Sequence, residues 1–330
     1  MINLNYLKNK TVLVTGGTGT FGRAFVSKLL KEADTKKIII FSRDEFKQGE
    51  MQKDLVDRGI YNDKKIRFFI GDVRDLSRLE RAFNGVDIVF HAAALKQVPA
   101  IEYNPFEAVK TNILGSQNVI DAALNARVDK AILISSDKAV QPINLYGATK
   151  LAAERLFVAG NSYSDKIKTK FSVVRYGNVI GSRGSLIEMI EKQKSAGVIK
   201  LTDVRMTRFW ISIDKVLNII LEAVGNMGGG EIFVPKMKSL KVSDVIKFLA
   251  PKCKMEVIGI RPGEKLHEVL ITEYEIPRTK DAGSAFVIKP EFGWELGWLD
   301  KKPSVKNNFS YSSDNADFLT SFKNAKDILN

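Results

Sequence analysis

Tyr146 and Lys150 stand four residues apart in Tyr146-Gly147-Ala148-Thr149-Lys150, a spacing that sets both on one face of a helix. An ammonium placed there favours the phenolate of its neighbour and brings a group with an ordinary pKa of about 10 closer to use as a base. Tyr6/Lys10 and Tyr61/Lys65 share the spacing, so it carries weight only with its surroundings. The Tyr146 pair alone follows a strand-like run ending in Ser135-Ser136, and parallel sheets bind their ligands at such carboxyl edges. Just before the pair stands Ser136-Asp137-Lys138, an acid and a base side by side, which suits proton transfers beyond simple hydride chemistry.

A second constellation points to a dinucleotide. Thr15-Gly16-Gly17-Thr18-Gly19-Thr20-Phe21-Gly22 follows the first strand and opens the first helix, where glycines let the backbone approach a pyrophosphate and the helix end offers free N–H groups. The spacing of Gly16, Gly19 and Gly22 departs by one residue from the usual fingerprint. At the end of the second strand, where an NAD-binding chain carries an acid for the ribose, the sequence reads Phe41-Ser42-Arg43-Asp44-Glu45-Phe46-Lys47. Ser42, Arg43 and Lys47 suit a 2′-phosphate, so NADP is expected over NAD; the other reading gives the ribose to Asp44. Asp72, in Gly71-Asp72-Val73, can accept from the adenine amino group, and the small Ala92, Ala93 and Ala94 would let the backbone lie against the cofactor.

These residues need a frame. Strand patterns cover Thr11–Thr15, Lys37–Ser42, Ile66–Ile70, Asp87–Ala92, Lys130–Ser135 and Ser172–Tyr176; helical periodicity covers Phe21–Glu32, Glu45–Asp57, Leu76–Asn84, Ala108–Ala126 and Ala148–Ala159. The alternation predicts an α/β fold, a doubly wound, Rossmann-like parallel sheet, over residues 1–176. Glycines and prolines then break the rhythm, predicting a smaller α/β substrate domain over 177–330, with 213–234 rejoining the main sheet. After Pro290 the chain turns polar, with Ala316–Leu329 as a terminal helix or frayed tail.

Composition removes other classes. Across 330 residues there is one cysteine, Cys253, and there are two histidines, His91 and His267, too few for a disulfide framework or a zinc cluster; no metal is expected. The net charge of +13 is spread along the chain rather than gathered in one arm, which argues for attraction of anionic small molecules and against nucleic acid. Apolar runs are strand-sized and cannot span a hydrocarbon layer of roughly 30 Å, and Thr11–Val14 is too short for a signal peptide. No membrane association and a cytoplasmic location are expected.

Taken together, Thr15–Gly22, Ser42–Glu45, Gly71–Asp75, His91–Pro99, Ser136–Ala139, Tyr146–Lys150, Arg175–Asn178 and Arg261–Lys265 closely resemble the inverting UDP-N-acetylglucosamine 4,6-dehydratases, extended short-chain dehydrogenase/reductases that begin the route to pseudaminic acid. The resemblance runs from about Lys8 to Pro290. It implies tightly bound NADP, regenerated in each cycle, and UDP-N-acetylglucosamine as substrate. Tyr146, assisted by Lys150 and Ser136, would take the C4 hydroxyl proton, Lys138 the C5 proton, and Asp137 would protonate the departing C6 hydroxyl. Lys138 stands where ordinary sugar-nucleotide dehydratases have glutamate. Asn178, Arg261 and Glu264 match UDP-binding positions, arginine suiting a diphosphate, with Thr202, Arg208 and Lys96 as further candidates. A homo-oligomer, a hexamer, is also implied. Two alternatives stay open: a UDP-N-acetylhexosamine 4-epimerase, which has no use for Asp137-Lys138 as an elimination pair, and a non-catalytic NADP-sensing protein.

Overall fold

A computed structural model describes residues 3–163, 168–182, 184–291, 296–306, 308–322 and 325–329. Its first half alternates β1 (Thr11–Thr15), α1 (Thr20–Glu32), β2 (Lys37–Ser42), α2 (Glu45–Asp57), β3 (Ile66–Ile70), α3 (Leu76–Phe83) and β4 (Ile88–His91). Two short helices, α4 (Val98–Tyr103) and α5 (Pro105–Ala108), lead through a π-helical turn, Val109–Leu114, into α6 (Gly115–Asn125). Then come β5 (Lys130–Ser136), a 3₁₀ turn (Asp137–Ala139), α7 (Leu145–Ala159) and β6 (Lys170–Tyr176).

The strands run 3-2-1-4-5-6 across one parallel sheet. The order reverses at β1. Because crossovers are right-handed, α1 and α2 fall on one face and the helices after β3 on the other, and α3, α6 and α7 accordingly pack together. Both faces being covered, β1 and β2 are nearly continuous apolar runs, and every residue of β1 is buried.

The second half supplies β7 (Asn178–Val179), α8 (Leu186–Lys194), β8 (Val198–Leu201), β9 (Thr207–Ile211), α9 (Ile213–Asn226), β10 (Ile232–Pro235), β11 (Lys238–Lys241), α10 (Val242–Leu249), β12 (Lys254–Val257) and β13 (Val269–Ile271). It continues with β14 (Thr279–Asp281), β15 (Ala285–Ile288), α11 (Gly297–Asp300), β16 (Tyr311–Ser312) and α12 (Ala325–Leu329). Residues 213–234 do return: α9 packs on α1, and β10 pairs with β6 in parallel. The antiparallel β15 and β14 extend that edge to nine strands. The remaining elements form a smaller lobe with its own cluster around Ile190, Ile199, Trp210, Leu240 and Ile246. The chain after 290 is not a featureless tail: Tyr311 is fully buried, and its hydroxyl donates to Pro235 O at 2.8 Å. Within Ala316–Leu329 the described helix covers Ala325–Leu329, and residues 323–324 lie outside the described residues.

Candidate active site

Gly16 sits at φ 64°, and a Cβ there would come within 2.8 Å of Ala93 N, so the turns after β1 and β4 touch and only glycine allows it. Above them opens a cleft of about 1140 Å³ at the carboxyl ends of the strands, where the strand order reverses. Gly16, Thr18, Gly19, Thr20, Phe21, Ser42, Arg43, Lys47, Asp72, Val73, Ala92, Ala93 and Ala94 line one end of it. Gly22 does not; it packs α1 against Gly17. Gly19 caps α1 without a side-chain hydrogen bond, leaving the first-turn N–H groups to an anion. Arg43 Nη1 stands 3.5 Å from Asp72 and Lys47 Nζ 2.7 Å from Asp44, so two cations edge the end of β2. Burial opposes ionisation of Asp72, but Arg74 and Arg43 hold its carboxyl below the usual range. Beneath the floor His91 is locked, neutral, between Thr15 Oγ1 (2.7 Å) and Ser116 Oγ (3.1 Å); burial, then Lys150, push its pKa down to about 3.

The other half of the cleft is built by the 3₁₀ turn and α7. Helix α7 starts at Leu145, three residues before the predicted Ala148, because Asn144 caps it by accepting from Gly147 N at 2.8 Å. A Cβ on Gly147 would lie 2.2 Å from Lys138 O, so the first helical turn can press directly on the Asp137–Ala139 turn. Side chains far apart in character are thereby brought together. Tyr146 and Ser136 both line the cleft; Ser136 Oγ donates to Asp137 Oδ1 at 2.8 Å, and Lys138 Nζ donates to Asp137 Oδ2 at 3.0 Å. Asp137 is 2% exposed, Lys138 26%.

Electrostatics differ from the sequence expectation at one point. Lys150 Nζ donates to Ile134 O at 2.6 Å, and the Tyr146 phenol is pushed up to about 12, by burial first and then by Asp137, with Lys138 and Ser136 opposing. In the protein by itself desolvation therefore dominates the phenol, and the opposing cation is Lys138 rather than the expected Lys150. Burial likewise lowers Lys150 to about 8.

Lys96, Asn178, Arg208, Arg261 and Glu264 all line the far end of the cleft. Thr202 does not: its hydroxyl donates to Met206 Sδ at 3.0 Å. Arg208 is buried and fixed by Thr207 O, Leu266 O and Lys265 O at 2.8 to 3.1 Å. Asn144 Nδ2 donates to Gly263 O at 2.7 Å, so the residue that caps α7 also anchors the Arg261–Glu264 loop. Motif reading missed Asn144, whose helix-start signal was available, and Glu268, for which spacing gives none: Glu268 Oε1 lies 2.9 Å from Lys138 Nζ. Among the described residues no group of three or more His, Cys, Asp or Glu is arranged to hold a metal ion, and no helix is long and apolar enough to cross a membrane.

Sheet order and cleft are those of an extended short-chain dehydrogenase/reductase. The polysaccharide biosynthesis protein family matches residues 12–290. A UDP-N-acetylglucosamine 4,6-dehydratase (inverting) of Campylobacter jejuni subsp. jejuni is 47% identical over 97% of both chains. A UDP-glucose 4-epimerase of Rickettsia bellii is 43% identical over 88% of this chain and 85% of its own. Pen from Bacillus thuringiensis, a solved structure, superposes with a TM-score of 0.88 at 38% identity over 98% of this chain and 99% of that one. The chain belongs to the polysaccharide biosynthesis protein family, together with these inverting dehydratases.

Proposed function

We propose that the chain is a hydro-lyase that converts UDP-N-acetylglucosamine to its 4-keto-6-deoxy product with inversion at C5, using bound NADP. The observation that carries this reading is the convergence of Tyr146, Asp137 and Lys138 on one cleft, with Asp137 held by Ser136 Oγ at 2.8 Å and paired with Lys138 at 3.0 Å. NADP fits the other end. Buried hydroxyls of Ser135 and Thr111, both lining the cleft, lack hydrogen-bond partners among the described residues, and Arg43 and Lys47 supply positive charge where a 2′-phosphate would sit.

Bound there, NADP supplies hydride transfer, oxidising C4 and later reducing C6, and ends each cycle unchanged. Tyr146 Oη takes the C4 hydroxyl proton, with Lys150 and Ser136 positioning it. A ketone at C4 acidifies C5, and Lys138 Nζ removes that proton. Asp137 protonates the departing C6 hydroxyl, so water leaves and an enone remains; as C6 is reduced, a proton is returned to C5 on the opposite face, which inverts that centre. Arg208 and Arg261 hold the diphosphate, assisted by Asn178, Glu264 and Lys96. The reaction suits the first step toward pseudaminic acid or a related surface glycan, in the cytoplasm. A homo-oligomer, a hexamer on the family resemblance, is supported by Tyr103 and Phe106, exposed to 87% and 62% on neighbouring short helices.

The epimerase reading draws on the Rickettsia relative. Incubation with UDP-N-acetylglucosamine in heavy water separates the two. Dehydration gives a product lighter by one water with deuterium at C5, and Lys138→Ala loses that exchange while keeping the dinucleotide. An epimerised C4 with no mass loss and no C5 label defeats the dehydratase reading.

A further inference from the structure

Glu268 precedes β13 in the loop that also carries Arg261 and Glu264, and it is 1% exposed. Its Oε1 lies 2.9 Å from Lys138 Nζ, 3.6 Å from Arg208 Nε, and its Oε2 lies 3.9 Å from Lys265 Nζ. Oε2 is buried with no hydrogen-bond partner among the described residues. The Lys138 ammonium is thus held by two carboxylates, Asp137 beneath it in sequence and Glu268 from the smaller lobe. Burying such charge carries a desolvation penalty that an apolar neighbour of equal volume avoids, so packing alone does not account for a carboxylate at this position.

The elimination supplies a reason. It needs a neutral amine to take the C5 proton and a carboxylic acid to give one to the C6 hydroxyl. One transfer yields both: an N–H bond of Lys138 breaks, an O–H bond forms on Asp137 Oδ2, and the ion pair becomes an amine and an acid with no change in total charge. The pair can do this only while it holds its proton.

Resting on the dehydratase reading, we propose that Glu268 is a positioning residue that keeps this shared proton on the Lys138–Asp137 pair and fixes Lys138 Nζ beside Asp137. The charged and titratable groups facing Lys138 are Asp137 and Tyr146 from the main sheet side, Arg208 from β9, and Lys265 and Glu268 from the loop before β13. Burial lowers the affinity of Lys138 for its proton and Arg208 lowers it too, yet Asp137 and Glu268 outweigh both and hold it above the ordinary lysine value.

Glu268→Gln keeps the shape and one oxygen acceptor and removes the charge. In the dinucleotide-bound protein, the Lys138 titration is followed by carbon-13 NMR of the lysine Cε, the resonance being assigned by its loss in Lys138→Ala. The midpoint should fall by about one pH unit or more in E268Q, and the alkaline limb of C5 exchange should fall with it at unchanged KM. Glu268→Asp, which keeps the charge, should recover most of the wild-type midpoint. A midpoint in E268Q equal to wild type overturns the proposal, as does a raised KM with an unmoved limb, which would make Glu268 a substrate contact. Loss of cooperative melting in both variants makes the residue structural and also overturns it. Should the wild type show no C5 exchange while the midpoint shifts as expected, the dehydratase reading fails and the hold of Glu268 on the proton stands.

Discussion

At the scale of single residues, Lys150 shows what burying an ammonium costs. It is 4% exposed, and burial brings its pKa from an ordinary 10.5 to about 8. A lysine depressed by folding binds its proton less tightly in the fold than unfolded. The penalty is therefore fully present below about pH 8 and fades as pH rises toward 10.5, a span worth ~3 kcal/mol. Lys150→Met in dinucleotide-free protein should gain about 1–2 kcal/mol at pH 7, net of the hydrogen bond lost at Ile134 O. The gain should vanish by pH 10, and turnover should fall about 100-fold or more. Urea unfolding at the two pH values checks it; equal stability of wild type and variant at pH 7 would remove the argument. Tyr146, Lys150, Asp137 and Lys138 were legible in sequence because they lie within one short stretch whose order alone is suggestive. Glu268 was not, since only the folded chain brings it to Lys138.

Among the elements, α7 carries the site and is held from below. Arg175 on β6 reaches Glu154 at 2.7 Å, Glu275 at 3.0 Å and Leu270 O at 2.9 Å, all buried. Removing one carboxylate leaves part of an interior charge uncompensated, so Glu275→Ala should cost roughly 3–5 kcal/mol, read as a lower denaturation midpoint with an unaltered slope. A loss under 1 kcal/mol would mean that water replaces the missing partner. Periodicity found β1, β2, β3 and α2 to the residue, because buried apolar runs in β1 and β2, the β-branched and aromatic content of β3 and an Asp44 cap are strong local signals. It read Ala108–Ala126 as one helix, whereas Val109–Leu114 is π-helical. That turn has no local signature; it delivers Asn112, whose side chain pairs with Leu95 N and O and with Thr149 Oγ1 at 2.8 to 3.0 Å, an arrangement made by partners distant in sequence. The edge strand β14 and its neighbour β15, three and four residues long, are too short to announce themselves.

For the molecule as a whole, both ligand ends belong to one continuous cleft, and the proposed reaction returns the dinucleotide to its starting state. The protein should therefore purify with about one NADP per chain, released on acid precipitation, and turn over without added cofactor; NAD in the released fraction would revise the assignment of Arg43. The nine-stranded sheet draws its strands from both halves of the chain, β10 covering β6 only after the smaller lobe's first elements have intervened. On the ribosome this ordering imposes a wait. About 60 residues separate the end of β6 from the end of β10, several seconds of synthesis at roughly 5–20 residues per second. Throughout that interval the nascent sheet presents an open, apolar flank to its surroundings, which makes this protein a natural client of chaperones that bind during translation.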